Sequence, residues 1–487
     1  MNRLKKTETS VLGRLVRIRF ARLSFEALYH HLNQDDSREQ FAYALFNLAR
    51  TADGTVLIVS DIFIPDPEDL IYQGSTGVTP NKNLQFLVYF LAQQKQCGIL
   101  DIHTHPFEKI PHFSSIDEAE SLNNAKDICR LLPPPETHAM IVFGQGIQAH
   151  DSVVYDRSLN GYRTIEAIEV LGRKSEIRHT GQSHDTAEIS DPTYDRQIRI
   201  RDWSQKTLAQ QNIAIIGVGG NGAHILQTLI SIGAGTEGWI AVIDPDTVEP
   251  SNLPRIPYAT PRDIGQPKVT VATRYALDKN PNVKFYPYPC SVTAKAALDR
   301  IKAATILIGA GDRDSVRKIC NENSVKYMIP YIDLGCDIHM EDNSLEAAGQ
   351  VRIVLPGQNA CLVCCGGFDP SSAALELMDD LSALQHASLG YGQGKVHHIA
   401  PSVANLNASI AQLGISAFLS LVHGPTFGNW DFVHFSQLNV QMTAAQTRQN
   451  EKCPVCCREG VLAIGDNTIN QDKNNLQIPT KFKEKQA

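Results

Sequence analysis

Long apolar runs are the first thing this sequence lacks: none approaches the ~18 residues of a membrane span. The N-terminus has no signal-peptide pattern either, because charge alternates with apolar residues through LKK and LGRLVRIRF. These absences predict a cytoplasmic protein with no membrane contact. A basic stripe is also missing, and the formal net charge of -7 argues against a nucleic-acid partner. No segment recurs at a fixed period, which excludes solenoid and propeller architectures. No Walker A loop occurs, so any nucleoside triphosphate would need another cradle. Finally, the chain has eleven cysteines but none between Gly366 and His398.

What is present is enough chain for two cores, since 487 residues are too many for one. Residues 1–165 alternate strand and helix patterns. The segments TVLIVSDIFI, CGILDIHTH and HAMIVFG read as strands, and NLQFLVYFLAQQKQ reads as a helix. Residues 166–193 contain a polar stretch without sustained period and read as a linker. Residues 194–465 form the second domain, and the tail 466–487 reads as disordered. Both domains are α/β.

The second domain is organised around QNIAIIGVGGNGAHILQTLI. A buried strand leads through Gly217, Gly219 and Gly222 into a helix, and a second strand ends at Asp244. Glycines there let the backbone turn tightly and approach a phosphate at the helix N-terminus. A lone fingerprint of this kind also fits a dehydrogenase. The residues beyond the second strand favour ATP, because Asn252, Arg255 and Lys268 supply an amide and two cations there. Asp312 ends the next strand at the sheet edge where open α/β sheets bind ligands, placed to hold Mg²⁺. Arg196 precedes the first strand in YDRQIRI, and its bland reading is a solvated charge.

Two further groups suggest zinc. His103 and His105 are two apart at a strand end, so both imidazoles leave one face, and Asp117 stands twelve positions later. Two histidines and one carboxylate leave the fourth position open, as in catalytic zinc. Ser114 and Asp117 also fit a helix capping box. Cys361, Cys364, Cys453 and Cys456 form two CxxC knuckles suited to a structural Cys₄ zinc, with a redox role as the alternative. Cys365 and Cys457 come directly after each knuckle and could exchange with their neighbours. Cys97, Cys129, Cys290 and Cys320 read as core.

His103-Thr104-His105-Pro106, with Ser114-x-x-Asp117 behind and Glu39 ahead, resembles the JAB/JAMM (MPN) metalloproteases of deubiquitinating isopeptidases. The His105 to Asp117 gap is one residue longer than usual there. The resemblance implies zinc on His103, His105 and Asp117, a proton shuttled by Glu39, and an oxyanion steadied by Ser114. RQI, GVGGNG, DPDTVEPSNLPR, GQPK and GAGD, in that order, resemble the ThiF/MoeB ubiquitin-activating-enzyme-like adenylyltransferases, whose Rossmann-like domain carries a zinc knuckle. That likeness implies adenylation by ATP of the C-terminal glycine of a ubiquitin-like protein. It puts Asp244 on the ribose, Asn252, Arg255 and Lys268 on the phosphates, and Asp312 on Mg²⁺. It also makes Arg196 reach the ATP of a partner subunit in a homodimer.

Relatives that pass the modifier on as a thioester carry a cysteine in the crossing segment that lacks one here, which leaves Cys336 and Cys365 as the nearest candidates. Three readings are open. The first is an activating enzyme fused to a peptidase, as in bacterial ubiquitin-like conjugation systems including antiphage defence, with a conjugating enzyme as a further partner. The second is sulfur-carrier activation for cofactor or cysteine synthesis. The third is an adenylation enzyme with an inactive JAB scaffold.

Overall fold

The computed structural model describes residues 15–35, 37–132, 137–183, 191–341, 344–378 and 401–467. They fall into two compact units. Among the described residues, the first takes 15–171, 176–183 and 463–467, and the second takes Gly172–Ser175 and 191–462.

The first unit is built on a nine-stranded mixed sheet. Its order is Glu176–His179, Ala167–Leu171, Leu15–Ala21, Gly54–Phe63, Phe41–Arg50, Gly98–Thr104, His138–Phe143, His150–Asp156 and Gly161–Thr164. Strand Phe41–Arg50 shows why both faces are covered: its side chains alternate between two apolar clusters. Ala42, Ala44 and Phe46 join Phe25 and Leu28 of helix Arg22–Leu32 on one face. Phe41, Tyr43 and Leu45 join Leu84, Val88 and Leu91 of helix Lys82–Lys95 on the other. Ile99 belongs to this second face, and so, by strand parity, does His103.

The expected linker needs correcting. Ala167–Leu171 is a fully buried strand parallel to Leu15–Ala21, and Glu176–His179 pairs antiparallel outside it. The polar composition of residues 172–192 does not extend back over AIEVL, whose apolar residues read as a strand by themselves. The other end of the chain also closes this unit. Asn47 Nδ2 donates to Ala463 O at 2.9 Å, and Asp466 N donates to Leu48 O at 2.7 Å. Asp466 and Asn467, expected in the tail, are therefore tied down, while 468–487 lie outside the described residues.

The second unit holds an eight-stranded sheet in the order Phe285–Tyr288, Trp239–Ile243, Asn212–Ile216, Ile306–Gly309, Tyr331–Glu341, Ser344–Val354, Phe432–Ser436 and Gln441–Ala445. The first five strands are parallel and the last three antiparallel. Strand order reverses at Asn212–Ile216, which makes the carboxyl ends there the place for a ligand. Helix Ala404–His423 packs on helix Gly220–Ser231 and on the antiparallel half. With a mean hydropathy of 1.3 over 18 residues, this helix meets the length and composition of a membrane span, contrary to the expectation from apolar runs. Asn405, Asn407 and Gln412 interrupt any continuous apolar stretch, but most of the helix is buried in the unit's core.

One buried charge group in the first unit makes a testable demand on stability. Glu169 is fully buried, with Arg17 Nη1 at 2.6 Å from Oε1 and Arg19 Nε at 2.8 Å from Oε2. Removing the carboxylate would take from both buried guanidiniums the acceptor they share. Glu169→Ala should therefore destabilise this unit by about 3–5 kcal/mol. Hydrogen exchange in Leu15–Ala21 and Ala167–Leu171 should show it as lost protection, and unchanged protection would show the pair to be dispensable.

Candidate functional site

The glycine turn sits at the point where the strand order reverses. Gly217 has φ of +86°, and a Cβ there would press on the backbone of Ala310 and Gly311 at 3.2 Å. A Cβ on Gly222 would fall 1.9 Å from Gly217 O, so both positions require glycine. Asp244 closes the turn from the neighbouring strand. Its Oδ2 accepts from Val218 N at 2.8 Å and its Oδ1 from Asp246 N at 2.9 Å. Burial pushes the Asp244 carboxyl up, against Lys268 and the two N–H donors that lower it.

A cavity of about 960 Å³ opens over this turn. Gly217, Gly219, Asp244, Arg255, Lys268 and Asp312 all line it. Lys268 Nζ lies 2.8 Å from Asp246 Oδ2, and Asp312 is exposed in the loop after Ile306–Gly309. The Nε atoms of Arg255 and Arg317 are buried and make no hydrogen bond among the described residues, although Arg317 Nε faces Asp333 Oδ1 at 3.7 Å. Two cationic donors at this wall thus have capacity for an acceptor. The donor set suits a polyanion.

Not every expected residue reaches the cavity. Asn252 is buried in a turn, where its Oδ1 accepts from Glu249 N at 3.1 Å, and it is absent from the lining. Gly222 packs beneath the turn, and Arg196 is a turn residue elsewhere, away from the lining. Arg317, Asn221 and Asn407 line the cavity without having been singled out from sequence. Asn407 Nδ2 donates to Asn221 Oδ1 at 2.9 Å, tying the first turn of helix Gly220–Ser231 to helix Ala404–His423. Only the asparagine next to the glycines carried any local signal.

Neither thioester candidate presents an activated thiol. Cys336 lines the cavity, but its Sγ donates to Asn221 Oδ1 at 3.3 Å and burial pushes it up to about 11. Cys365 Sγ accepts from Arg352 Nη1 at 2.8 Å, and burial raises it too. Of the crossing segment, residues 379–398 lie outside the described residues.

The knuckle cysteines converge. Sγ separations are 3.9 Å for Cys361–Cys364, 3.7 Å for Cys361–Cys453 and 3.3 Å for Cys364–Cys456. Tetrahedral zinc with Zn–S of about 2.3 Å gives edges of about 3.8 Å, so these four fit the ion. Cys365 and Cys457 stay outside the cluster. Of the expected core thiols, Cys97 and Cys320 are buried, whereas Cys129 and Cys290 are only partly so.

The first unit gathers the other group. His103 Nε2 lies 3.7 Å from Asp117 Oδ1, and His105 Nε2 lies 3.6 Å from Asp117 Oδ2. These are too long for hydrogen bonds and near the ~3.4 Å between two ligands of one tetrahedral zinc. His103 Nε2 is moreover buried and makes no hydrogen bond among the described residues. Ser114 and Asp117 do form the capping box: Ser114 N donates to Asp117 Oδ2 at 2.7 Å, and Asp117 N to Ser114 Oγ at 3.2 Å. That box starts helix Ser115–Leu131 and aims the carboxylate at both imidazoles.

Glu39 stands two residues before Phe41, which is paired with His103 across the sheet, and its N–H is fixed on Gly74 O at 2.8 Å. Burial raises its carboxyl, opposed by His103 and His105. Gln40 is occupied elsewhere, accepting from Gln73 Nε2 at 3.2 Å. His105 is held above its usual value: burial works to lower it, but Asp117, Glu39 and Glu108 outweigh that.

Both clusters predict metal content. The protein should carry about two zinc ions per chain by elemental analysis. His103→Ala should remove one and Cys364→Ser the other, while a wild-type value of one would leave only the cysteine site.

With this geometry in hand, comparison with known proteins is specific. Residues 194–455, more than half of the chain, match the ThiF family. A sulfur carrier protein adenylyltransferase of Thermus thermophilus is 33% identical over 121 residues, covering 25% of this chain and 44% of that protein. A sulfur carrier protein ThiS adenylyltransferase of Bacillus subtilis is 31% identical over 162 residues, covering 33% and 45%. The chain thus spans less than half the length of these two relatives. A molybdopterin-synthase adenylyltransferase of Salmonella typhimurium is 25% identical over 276 residues, covering 55% of this chain and 99% of that protein. With that match over more than half of its length, including the glycine turn, this chain belongs to the ThiF family.

Proposed function

We propose that the second unit uses ATP and Mg²⁺ to adenylate the C-terminal glycine carboxylate of a small ubiquitin-like or sulfur-carrier protein. The observation that carries this reading is the cavity over the glycine turn, where buried Arg255 and Arg317 donors, Lys268 and Asp312 surround one space. The names of the Thermus and Bacillus relatives support it.

In this reaction a carboxylate oxygen of the carrier protein attacks the α-phosphorus of ATP, the bond from that phosphorus to the bridging oxygen breaks, and pyrophosphate leaves. Two anions must approach one another, so the barrier is mainly electrostatic. Arg255, Arg317 and Lys268 would offset that charge, with Lys268 exchanging Asp246 for phosphate. Asp244, held by the turn, would receive the ribose hydroxyls. Asp312 would hold Mg²⁺, which when bound neutralises phosphate charge. Asn252 acts through the turn that presents Arg255, three positions beyond it. Arg196 would act on a second copy's site in a homodimer.

For the first unit we propose zinc-dependent cleavage at the tail of the same carrier or at its isopeptide link. His103, His105 and Asp117 would hold zinc, which supplies an acidified water. Glu39, buried and raised, suits a group that takes and returns a proton. Ser114 would donate its hydroxyl hydrogen to the developing oxyanion, since its oxygen already accepts from Asp117 N. This site favours a conjugation pathway, antiphage defence among them, with a conjugating enzyme as the next partner. Sulfur-carrier activation stands as the second reading because two relatives carry that name.

Two measurements test these readings. ATP–pyrophosphate exchange dependent on a diglycine-ended ubiquitin-like protein should fall on the order of 10²–10³-fold in Asp312→Ala, and full exchange in that variant would remove Asp312 from the site. Cleavage of a carrier with an extended tail should fall on the order of 10²–10⁴-fold in Glu39→Gln while zinc content stays the same. Undiminished cleavage would assign the proton shuttle to another group.

A further inference from the structure

The loop between His105 and Ser114 is held in a way that capping alone does not require. Glu108 N donates to His105 O at 3.1 Å, and Gln145 N donates to Glu108 O at 2.7 Å. The neighbouring chain is packed so closely that a Cβ on Gly144 would come within 2.5 Å of Glu108 O. With its backbone fixed at both ends, Glu108 directs its carboxylate back into the loop. Oε2 accepts from His112 N at 3.1 Å and lies 3.4 Å from His105 Nδ1. The imidazole of His105 therefore stands between two carboxylates, Glu108 on the Nδ1 side and Asp117 on the Nε2 side.

A neutral imidazole carries one proton, and which nitrogen holds it decides which one can bind metal. If the proton sat on Nε2, Asp117 Oδ2 would attract it and the nitrogen facing the cluster would have no lone pair to give. We propose that Glu108 is a positioning residue for the metal cluster: it accepts the Nδ1–H of His105 and thereby leaves Nε2 free to ligate. The inference rests on the zinc reading of this unit and extends it to a residue outside the HxHP and SxxD pattern. Outer carboxylates of this kind orient ligating histidines and strengthen metal binding by ~10–100-fold. Glu108 is half-exposed and its contact is long, so solvent screening places the effect toward the lower end of that range.

The test uses the full-length protein with its cysteine cluster loaded. Competition with a zinc-binding dye gives the affinity for the second zinc, identified as the one that His103→Ala removes. Glu108→Ala should weaken it roughly 10-fold, and Glu108→Gln, which keeps a carbonyl to accept from Nδ1–H and His112 N, should recover most of the loss. With this site stripped of metal, nitrogen-15 NMR of labelled histidines should find His105 protonated on Nδ1 in the wild type. In Glu108→Ala the proton should move toward Nε2. Equal zinc affinity together with an unchanged tautomer in Glu108→Ala overturns the proposal. If the wild type takes up no second zinc, the metal reading fails, and an Nδ1 proton that moves in Glu108→Ala still supports the assignment to Glu108.

Discussion

The carboxylate of Asp244 is the constraint on which the second unit's site depends. It sits at the end of one strand and accepts a backbone N–H from the glycine turn at the end of the next. Burying a carboxylate is costly unless it is fully hydrogen-bonded, and here both oxygens are. One oxygen fixes the path of the turn at Val218, and the other fixes Asp246, which in turn faces Lys268. The turn, the helix N-terminus and the lysine are thus positioned by a single buried group before any ligand arrives. Groups fixed in this way need little rearrangement when something binds, which is what preorganisation means physically.

The first unit solves a similar problem with a different device. A capping box is needed to begin helix Ser115–Leu131, and Asp117 provides half of it. The same carboxylate faces two imidazoles brought there by strand parity, which puts His103 and His105 on the side where that helix lies. Satisfying a helix terminus and turning a carboxylate toward two imidazoles are therefore one act of folding. The bland and the chemical readings of Ser114 and Asp117 are compatible and do not compete.

What could be read from sequence depended on the range of the interactions involved. Periodicity identified the main strands and helices because parity and helical spacing are local. The glycine turn, HxHP and the two knuckles were legible because each packs its geometry into a few residues. Arg317, Asn407 and Glu108 were not. Arg317 reaches the cavity from the first turn of the helix that follows strand Ile306–Gly309, and Asn407 arrives from a helix nearly two hundred positions beyond Asn221. Their roles are set by packing between distant segments, which no local spacing encodes. Asn252 erred in the other direction: a residue type suited to phosphate instead closes a turn, because its side chain finds a backbone N–H three residues earlier. The misplaced linker has a different origin: Ala167–Leu171 carries its own apolar strand pattern, and the expected linker took it in with the polar residues that follow.

Neither unit is made from one stretch of chain. Gly172–Ser175 leave the first unit briefly to join the second, where Ser175 N donates to Leu421 O at 2.8 Å. The first unit then gains Ala463–Asn467, bonded to Asn47, Leu48, Arg50 and Lys95. During synthesis the nine-stranded sheet can assemble early, but its last hydrogen bonds wait until residue 467 has left the ribosome. The two units consequently have no order of completion that runs with the sequence. A cut placed at the apparent boundary near residue 190 would give an amino-terminal fragment lacking part of its own structure and a carboxyl-terminal fragment carrying that part without a partner.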